Sequence, residues 1–405
     1  MKKFRWIIVA VTLLAIVGGI IGYKLTRNKT ASVPSENSSQ GEKDNAAIKA
    51  GKQLTYNACS GSGPRELTRL PMEESDYAMI LPYGLMVGGH VTPIDHQYFS
   101  PTVFNSPRDT YPVYAMADSK ITEISQRTNE RGTEYRFVFT MSCTFLYYYD
   151  LVTSLAPEIL SEYEKNFEGQ RARLNFDVKA GQLIGKIGGQ TLDFAVWDTT
   201  KPLKNFVNPK SYEGEVWKIY TADPLDYYTP EIKTMALAKY IRTISPVSGR
   251  IDYDIDGKLI GNWFVKGSGG YAGPGNGREG YWAGHLAIAP EYIDNSATIV
   301  SFGSWNGGDA KQWAVKSPID PATIGVESGL TKYELYDYNE ITSNGSRWDN
   351  MSLYHDAKVK INTSQLGGCV LLQLTDKRVL KVEQFANKKC ADVTAFTAVA
   401  KIYER

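Results

Sequence analysis

The chain has 405 residues, which is enough for two or three domains with separate cores. Its formal net charge is +1 and its 45 basic and 44 acidic residues are interspersed, so no charge pattern typical of nucleic-acid binding is present. The chain contains 26 tyrosines and 36 glycines, a composition that favours strands and turns over helical bundles. The sequence therefore predicts a mainly β protein that does not bind nucleic acid.

The N-terminus has the pattern of a membrane anchor. Three of the first five residues are basic, and the run from Trp6 to Tyr23 carries no charge. At 1.5 Å per residue this run forms a helix of about 27 Å, close to the hydrocarbon thickness of a bilayer. We expect residues 1–26 to be an uncleaved transmembrane helix, with the N-terminus cytoplasmic and the bulk of the chain extracytoplasmic. A cleaved secretory signal and a buried core helix are the alternatives. Residues 27–51, which are polar and contain no aromatic side chain, predict a flexible stalk.

Residues 52–228 predict a first domain of short strands separated by turns. Its strand patterns are 111–118, 121–124, 135–139, 143–149, a strand between two turns within 178–189, and 192–197. A helix lies between the fourth and fifth patterns, with Ser154 as its predicted cap and Pro157 in its first turn. Four cysteines are present, at Cys59, Cys143, Cys369 and Cys390, and none forms a CxxC pair, so a cysteine zinc site is disfavoured. Cys369 can pair with Cys390 across a C-terminal hairpin, and buried free thiols are the alternative.

Residues 229–405 predict a second domain, an antiparallel β sandwich or barrel that follows a connecting helix from residue 229 to about 240. Strict alternation over residues 251–256 predicts a hairpin with a polar outer face that turns at Gly257. A calcium loop is disfavoured there, because its twelfth position is Trp263 instead of glutamate. The glycine-rich segment 267–280 lacks the ending of a phosphate-binding loop, which predicts a flexible or exposed loop.

The segment from Gly88 to His96 contains half of the four histidines. His90, Asp95 and His96 place two imidazoles and a carboxylate within seven residues. These are the groups that zinc binding or general-base chemistry requires. The segment is therefore a candidate metal or catalytic site.

The order of these residues, followed by the strand Tyr111–Ala115 and the turn Ala180–Gly185, resembles the lysostaphin and LytM type of zinc metallopeptidase. The resemblance covers about residues 80–200. It implies an antiparallel β domain with a zinc site in a cleft, in which His90 and Asp95 are the first two ligands. The chain departs from the family in having four residues between His90 and Asp95, where the family has three.

The resemblance also assigns the remaining site positions. Asp193 stands at the third zinc ligand, Thr191 at the catalytic base, and Asp150 at the histidine of the tyrosine-rich strand. Neither Thr191 nor Asp150 replaces an imidazole well at neutral pH. Three interpretations follow from this set. Either His90, Asp95 and Asp193, with His96, hold zinc or manganese, or the fold is retained without metal and its cleft binds a ligand. A purely structural role of both histidines in pinning the glycine turn is the third.

We therefore expect a membrane-anchored, extracytoplasmic protein whose degenerate metallopeptidase-like domain binds cell-envelope polymer or a partner protein. The alternative is an active zinc-dependent endopeptidase or amidase that acts on envelope peptides. Zinc is the cofactor of that alternative, whereas the binding module needs none. The predicted cleft residues are His90, Asp95, His96, Tyr148, Thr191 and Asp193. Tyr147, Tyr148, Tyr149 and Trp197 either line a sugar- or peptide-binding groove or belong to the core.

Overall fold

The computed structural model describes residues 40–273 and 281–405, so the predicted membrane anchor and the first part of the stalk lie outside it. Within those ranges, no helix combines the length and apolar character that crossing a membrane requires. Helix α1 (Gln40–Leu54) occupies the segment predicted to end the flexible stalk, and that prediction is wrong from residue 40 onwards. Ala47 and Ala50 are buried, and a disulfide joins Cys59 to Cys143 just beyond the helix. Alanine and lysine favour a helix once one face can pack.

The described residues up to 240 fold into two antiparallel sheets flanked by short helices. The strands are β1 (Tyr77–Leu81), β2 (Gln97–Pro101), β3 (Tyr111–Tyr114), β4 (Ser119–Asn129), β5 (Gly132–Ser142), β6 (Phe145–Val152), β7 (Ser154–Leu155), β8 (Phe167–Glu168), β9 (Arg171–Val178), β10 (Leu183–Ile187), β11 (Leu192–Asp198) and β12 (Thr221–Ala222). The helices are α2 (Pro157–Asn166), α3 (Pro230–Leu237) and the 3-10 segments Pro209–Tyr220 and Pro224–Asp226. The predicted cap of α2 is wrong, because Ser154 lies in β7 and Ala156 precedes the helix.

The larger sheet has the strand order β1-β2-β11-β6-β5-β4-β9-β8, and β12 pairs with β11. The smaller sheet has the order β3-β10-β7. Alternation along β6 divides its tyrosines between the two faces of the larger sheet. Tyr147 and Tyr149 join Phe137 and Phe139 in the main core, whereas Tyr148 faces the opposite side. That opposite side carries the candidate site.

The second half of the chain closes into an eight-stranded antiparallel barrel, β13 to β20, which decides between the predicted sandwich and barrel. Its strands are β13 (Gly261–Val265), β14 (His285–Pro290), β15 (Thr298–Phe302), β16 (Lys311–Val315), β17 (Thr331–Ile341), β18 (Lys358–Asp376), β19 (Val379–Ala386) and β20 (Lys401–Glu404). Short 3-10 turns interrupt its connections at Gly270–Ala272, Tyr281–Gly284, Val326–Ser328 and Cys390–Asp392. The predicted disulfide between Cys369 and Cys390 is present and ties β18 to the last of these turns.

The predicted hairpin over residues 251–264 is wrong in its first strand. Residues 251–256 pair with no strand among the described residues, and Asp252 and Asp254 are buried instead of facing solvent. Asp254 accepts a hydrogen bond from the Asn262 backbone at 2.8 Å, while Ile255 is 45% exposed. Backbone N–H groups inside the protein attract these carboxylates, because a buried donor without an acceptor is costly. Apolar and acidic residues are therefore buried together at the start of this segment and exposed together at its end, so the predicted inner and outer faces are not separated.

Residues on the two sides of the predicted domain boundary at residue 228 pack against each other. One cluster combines Tyr148 and Trp197 of the larger sheet with Phe264 and Tyr271 of the barrel half. The backbone N–H of Ile80 also donates to the carbonyl of Lys239 at 2.8 Å. The candidate site therefore lies against barrel residues and not on a free sheet face.

One buried acid in the barrel half predicts a pH-dependent stability. Glu291 is 2% exposed, and its Oε2 accepts the backbone N–H groups of Ile293 and Asp294 at 2.8 and 2.6 Å. Burial, with a further contribution from the charge of Glu340, raises the pKa of Glu291 to about 8 from 4.5. The folded state then binds a proton that the unfolded chain has lost, so the stability of the protein falls as the pH rises from about 4.5 to about 8.

We expect Glu291→Gln to flatten this dependence, since glutamine keeps the acceptor without a charge. At about pH 9 the variant should be more stable than the parent by on the order of 2 kcal/mol. Urea unfolding of both proteins at about pH 5 and about pH 9 checks this. A parent and a variant with the same pH dependence would contradict the buried, ionisable state of Glu291.

Candidate functional site

The register of the larger sheet places three polar side chains side by side. Asp193 of β11 is opposite Tyr98 of β2 on one side and Asp150 of β6 on the other. Residues directly opposite each other on neighbouring strands project from the same face. This face is the one that Tyr148 shares, away from the main core.

Two glycines shape the loop that carries His90 to this face. Val87 and His90 exchange backbone hydrogen bonds at 3.1 and 2.9 Å, and Gly88 between them has a φ of +53°. The Gln312 side chain of the barrel both accepts from and donates to the Gly88 backbone at 3.0 Å. A Cβ on Gly89 would lie 3.1 Å from the Trp282 ring. Barrel residues therefore hold the loop in place. Backbone hydrogen bonds between Val87 and His90 close the loop, so the His90 imidazole is not needed to close it.

His96 connects the two parts of the predicted site. Its Nε2 lies 3.4 Å from Asp193 Oδ2 and 3.1 Å from the Tyr98 hydroxyl, and its Nδ1 lies 3.4 Å from Asp95 Oδ1. The ring centres of His90 and His96 are 5.6 Å apart. His96 therefore links His90, Asp95 and Asp193, which are separated by up to 103 positions in sequence, into one cluster of side chains.

A lysine from the 3-10 segment Pro209–Tyr220 contacts the same cluster. Lys218 Nζ lies 2.8 Å from Asp95 Oδ1 and 3.1 Å from Glu215 Oε2, and its side chain is only 7% exposed. The indole Nε1 of Trp217 donates to Asp95 Oδ2 at 2.9 Å. Both oxygens of Asp95 are therefore engaged by protein donors, one of them a full positive charge.

The two positions that would supply the missing histidines are also engaged. The Thr191 hydroxyl donates to Asp193 Oδ1 at 3.3 Å. Arg127 holds both oxygens of Asp150, at 2.9 and 3.0 Å, and also contacts Glu134 Oε2 at 3.2 Å. This paired arrangement is the strongest contact geometry open to an arginine and a carboxylate.

Burial and neighbouring charges together set the protonation states of His90, Asp95 and Asp193. Burial and the nearby charges of His96 and Lys218 lower the pKa of His90 to about 3, so its imidazole is neutral at pH 7. Burial raises the pKa of Asp193 to about 7, although His96 acts in the opposite direction. Burial would also raise the pKa of Asp95, but the Lys218 ammonium and His96 lower it well below its usual range. Asp95 is therefore a permanent anion paired with a permanent cation.

Arg136 differs from Arg127 and Lys218 in that it makes no short ion pair with a carboxylate. Its guanidinium lies over the rings of Tyr148 and Trp217, at 4.6 and 5.4 Å from their centres. Its shortest contact to a carboxylate is 3.9 Å, to Asp150, and its side chain is 30% exposed. Within the described part of the chain, no side-chain hydrogen bond of Arg136 is found. Its donors are thus not committed to another side chain in the described part of the chain.

Tyr148, which the sequence predicts as a cleft residue, lies on the face of the candidate site and is almost fully buried there. Tyr148 is 1% exposed and stacks on Trp197, with ring centres 5.1 Å apart. Tyr147, Tyr149 and Trp197 are buried as well, which confirms the core alternative for this aromatic set. Tyr148 contributes to the site by packing its ring against the guanidinium of Arg136.

The donor set does not fit a metal ion. Among the described residues, no three His, Cys, Asp or Glu side chains come close enough together to bind one. Asp95, the second ligand that the resemblance implies, is neutralised by Lys218 and hydrogen-bonded by Trp217. A metal at Asp95 would have to displace an ammonium from a buried carboxylate.

Sequence reasoning missed the cationic half of this site. Lys218, Glu215 and Trp217 lie in a segment without strand or helix periodicity, so no pattern marks them. Arg136 does carry a signal. Arg136 lies between Tyr135 and Phe137 in a strand, and this alternation predicts that its side chain faces solvent. In the structure, the 3-10 segment that carries Trp217 covers this face of the strand.

No protein-family model matches the sequence, and no curated protein matches it either. Among solved structures, the chain is similar to Csd3 of Helicobacter pylori, with 15% identity and a TM-score of 0.22 over 34% of this chain and 33% of that one. It is also similar to a zinc-containing peptidase of Vibrio cholerae, with 17% identity and a TM-score of 0.24 over 35% and 39% of the two chains. Lysostaphin matches with 14% identity and a TM-score of 0.26, over 65% of this chain and 98% of its own. The chain thus spans only about a third of the length of the first two.

Proposed function

We propose that the chain is a membrane-anchored, extracytoplasmic binding module whose metallopeptidase-like cleft binds a cell-envelope polymer and does not hydrolyse it. One observation carries the proposal: the Lys218 ammonium, 2.8 Å from Asp95, neutralises the carboxylate that would otherwise bind zinc. The anchor is inferred from the uncharged run between Trp6 and Tyr23.

The groups around the cleft support binding better than hydrolysis. Activation of a water molecule requires a Lewis acid or a general base with a matched pKa. Asp193 has a pKa of about 7, but both of its oxygens already have partners, the Thr191 hydroxyl at 3.3 Å and His96 Nε2 at 3.4 Å. The Thr191 hydroxyl is committed to Asp193, and the Asp150 carboxylate is held by Arg127. The charges of Arg127 and Arg136 lower the pKa of Asp150 against the effect of burial, which makes it a weak base.

The partly exposed groups indicate what the cleft can hold. Arg136, Trp217 and His90 are half-buried, whereas the carboxylates beneath them are buried. A guanidinium edge donates hydrogen bonds to carbonyl, hydroxyl or carboxylate oxygens, and an indole packs against a sugar ring or an apolar side chain. Polymers built from sugars and peptides present both kinds of surface.

Co-sedimentation of the full chain with purified peptidoglycan tests the proposal. We expect the parent protein to bind, and Arg136→Gln to bind at least about tenfold more weakly, because the side chain loses its guanidinium donors. Arg171→Gln is the matched control, since Arg171 is a strand arginine that pairs with Glu123 at 3.4 Å outside the cleft. It should bind as the parent does.

Three outcomes would contradict the proposal. A parent protein that stays in the supernatant excludes this polymer as the ligand and favours a partner protein. Equal binding by the parent and Arg136→Gln places the ligand elsewhere on the chain. Release of soluble peptide fragments that stops in His90→Ala would establish the alternative, a zinc-dependent endopeptidase or amidase.

A further inference from the structure

One segment of the chain covers the outer face of strands β17 to β19 of the barrel. Residues 387–400 run from β19 to β20, and a disulfide to Cys369 ties this covering segment to β18. Val393 of the segment is 3% exposed and packs with the half-buried side chains of Phe385 and Phe396. The covering segment is therefore part of the folded barrel, and its outer side is a surface of defined shape.

The acids on this face of the barrel are engaged by protein donors. Glu383 of β19 is 4% exposed and accepts hydrogen bonds from the backbone N–H and the hydroxyl of Thr397, at 2.6 and 2.5 Å. Glu334 of β17 and Glu404 of β20 each accept a backbone N–H at 3.1 Å. These carboxylates therefore hold neighbouring loops in place, and they do not balance the lysines nearby.

Six lysines lie in or around the covering segment and form what we call the basic surface. They are Lys266, Lys332, Lys381, Lys388, Lys389 and Lys401. The ion pairs that lysines form within the described part of the chain all involve other lysines. Lys332 donates to the carbonyl of Val393, and Lys381 lies 4.6 Å from the centre of the Phe396 ring. The basic surface thus carries positive charge without paired carboxylates.

The lysines are spread over neighbouring strands instead of following one groove. Lys332 is on β17, Lys381 is on β19, and the backbone of Lys266, just after β13, donates to the carbonyl of Ile402 on β20. From β17 through β18, β19 and β20 to β13 there are four strand spacings, about 19 Å along the sheet. Charges distributed in two dimensions over the convex outside of a barrel match a plane of headgroups better than a single polymer strand.

We propose that the basic surface is the face that the folded chain turns towards a bilayer containing anionic phospholipid. Each lysine near an anionic membrane strengthens binding by about fivefold. Val399 of the covering segment is 74% exposed, and apolar side chains beside lysines enter the boundary between headgroups and acyl chains. The inference goes beyond the ligand proposed for the cleft and shares only the anchor with that proposal. The anchor keeps a bilayer within reach, since residues 27–39 span at most about 45 Å.

A fluorescent label at position 399 tests this inference. All four cysteines are in disulfides, so Val399→Cys supplies a single free thiol for an environment-sensitive nitrobenzoxadiazole label. The labelled full chain is combined with phosphatidylcholine vesicles that either contain or lack phosphatidylglycerol. We expect the emission to rise at least about twofold with the anionic vesicles only, because the label leaves water. Salt at about 1 M should remove the increase, since the Debye length is then about 3 Å.

Two double variants of the labelled protein show whether the lysines cause the contact. Lys388→Gln/Lys389→Gln removes two charges from the covering segment and should weaken the contact by about 30-fold. Lys204→Gln/Lys210→Gln is the matched control, because these two lysines are equally exposed outside strands but lie in the first half of the chain. The control should respond to anionic vesicles as the parent does.

The possible outcomes either support the inference or overturn it. Equal emission with both kinds of vesicle would overturn it, and so would equal contact by the parent and Lys388→Gln/Lys389→Gln. Binding of soluble polyphosphate without a response to anionic vesicles would assign the basic surface to an anionic polymer instead. The label reports contact whether or not residues 1–26 hold the chain in the vesicle. Co-sedimentation of the same protein with peptidoglycan decides the proposed function separately, because the cleft and the basic surface share no residue.

Discussion

Replacing Arg127 by methionine is expected to lower the free energy of unfolding by about 3–5 kcal/mol. Arg127 is the partner of two acids, Asp150 on both of its oxygens and Glu134 at 3.2 Å. Glu134 is 2% exposed, and its other oxygen has no hydrogen-bond partner among the described residues. Methionine keeps the apolar stem of the side chain, so most of the loss reports the uncompensated charge and only a smaller part reports lost packing.

Chemical denaturation of the parent and the variant at neutral pH measures this loss. Arg378→Met is the matched control, because Arg378 pairs with Asp256 at 2.7 Å between two side chains that are nearly half exposed. An exposed pair contributes less than about 1 kcal/mol. Combining Arg127→Met with Asp150→Asn should recover part of the stability. A loss in Arg127→Met no larger than that of the control would contradict the buried network.

The second large effect is expected at the disulfide between Cys59 and Cys143. It closes a loop of 84 residues, against 21 for Cys369 and Cys390. In the chain-entropy description, the longer loop contributes about 4.6 kcal/mol and the shorter one about 3.3 kcal/mol, since each bond restricts the unfolded chain. The Cys59→Ala/Cys143→Ala variant should therefore be the less stable of the two double variants.

A local readout distinguishes this effect from a general loss of stability. Helix α1 ends just before Cys59, so opening that disulfide should increase hydrogen exchange in α1 well beyond the change in the barrel. The Cys369→Ala/Cys390→Ala variant should leave exchange in α1 unchanged. Equal exchange in α1 in both variants would show that packing of Ala47 and Ala50, not the disulfide, holds the helix.

The sequence predicted the elements whose pattern is local. The strand at Tyr111, the turn at Gly181 and the strand that follows it are present, and β3 and β10 pair with each other. The connecting helix after Thr229 is also confirmed as α3. Each of these has a periodicity or a turn residue that specifies its conformation without distant contacts.

The failures share a physical cause, which is burial by distant residues. Asp252 and Asp254 alternate with apolar residues as a solvent-facing edge would, yet backbone donors near residue 205 draw them inward. Tyr148 is covered from the side that the sheet alone would leave open. Lys218 contacts Asp95 across 123 positions, and no local pattern records such a contact. Motif order predicted that His90 and Asp193 belong to one site, and His96 contacts both, but no motif could reveal the Lys218 cation beside Asp95.

Elemental analysis of the purified full chain, prepared without chelator, bears most directly on whether a lysine has taken the place of a metal. We predict less than about 0.1 equivalent of zinc or manganese, because the ammonium of Lys218 already neutralises Asp95. One equivalent of zinc that disappears in His90→Ala would contradict the account.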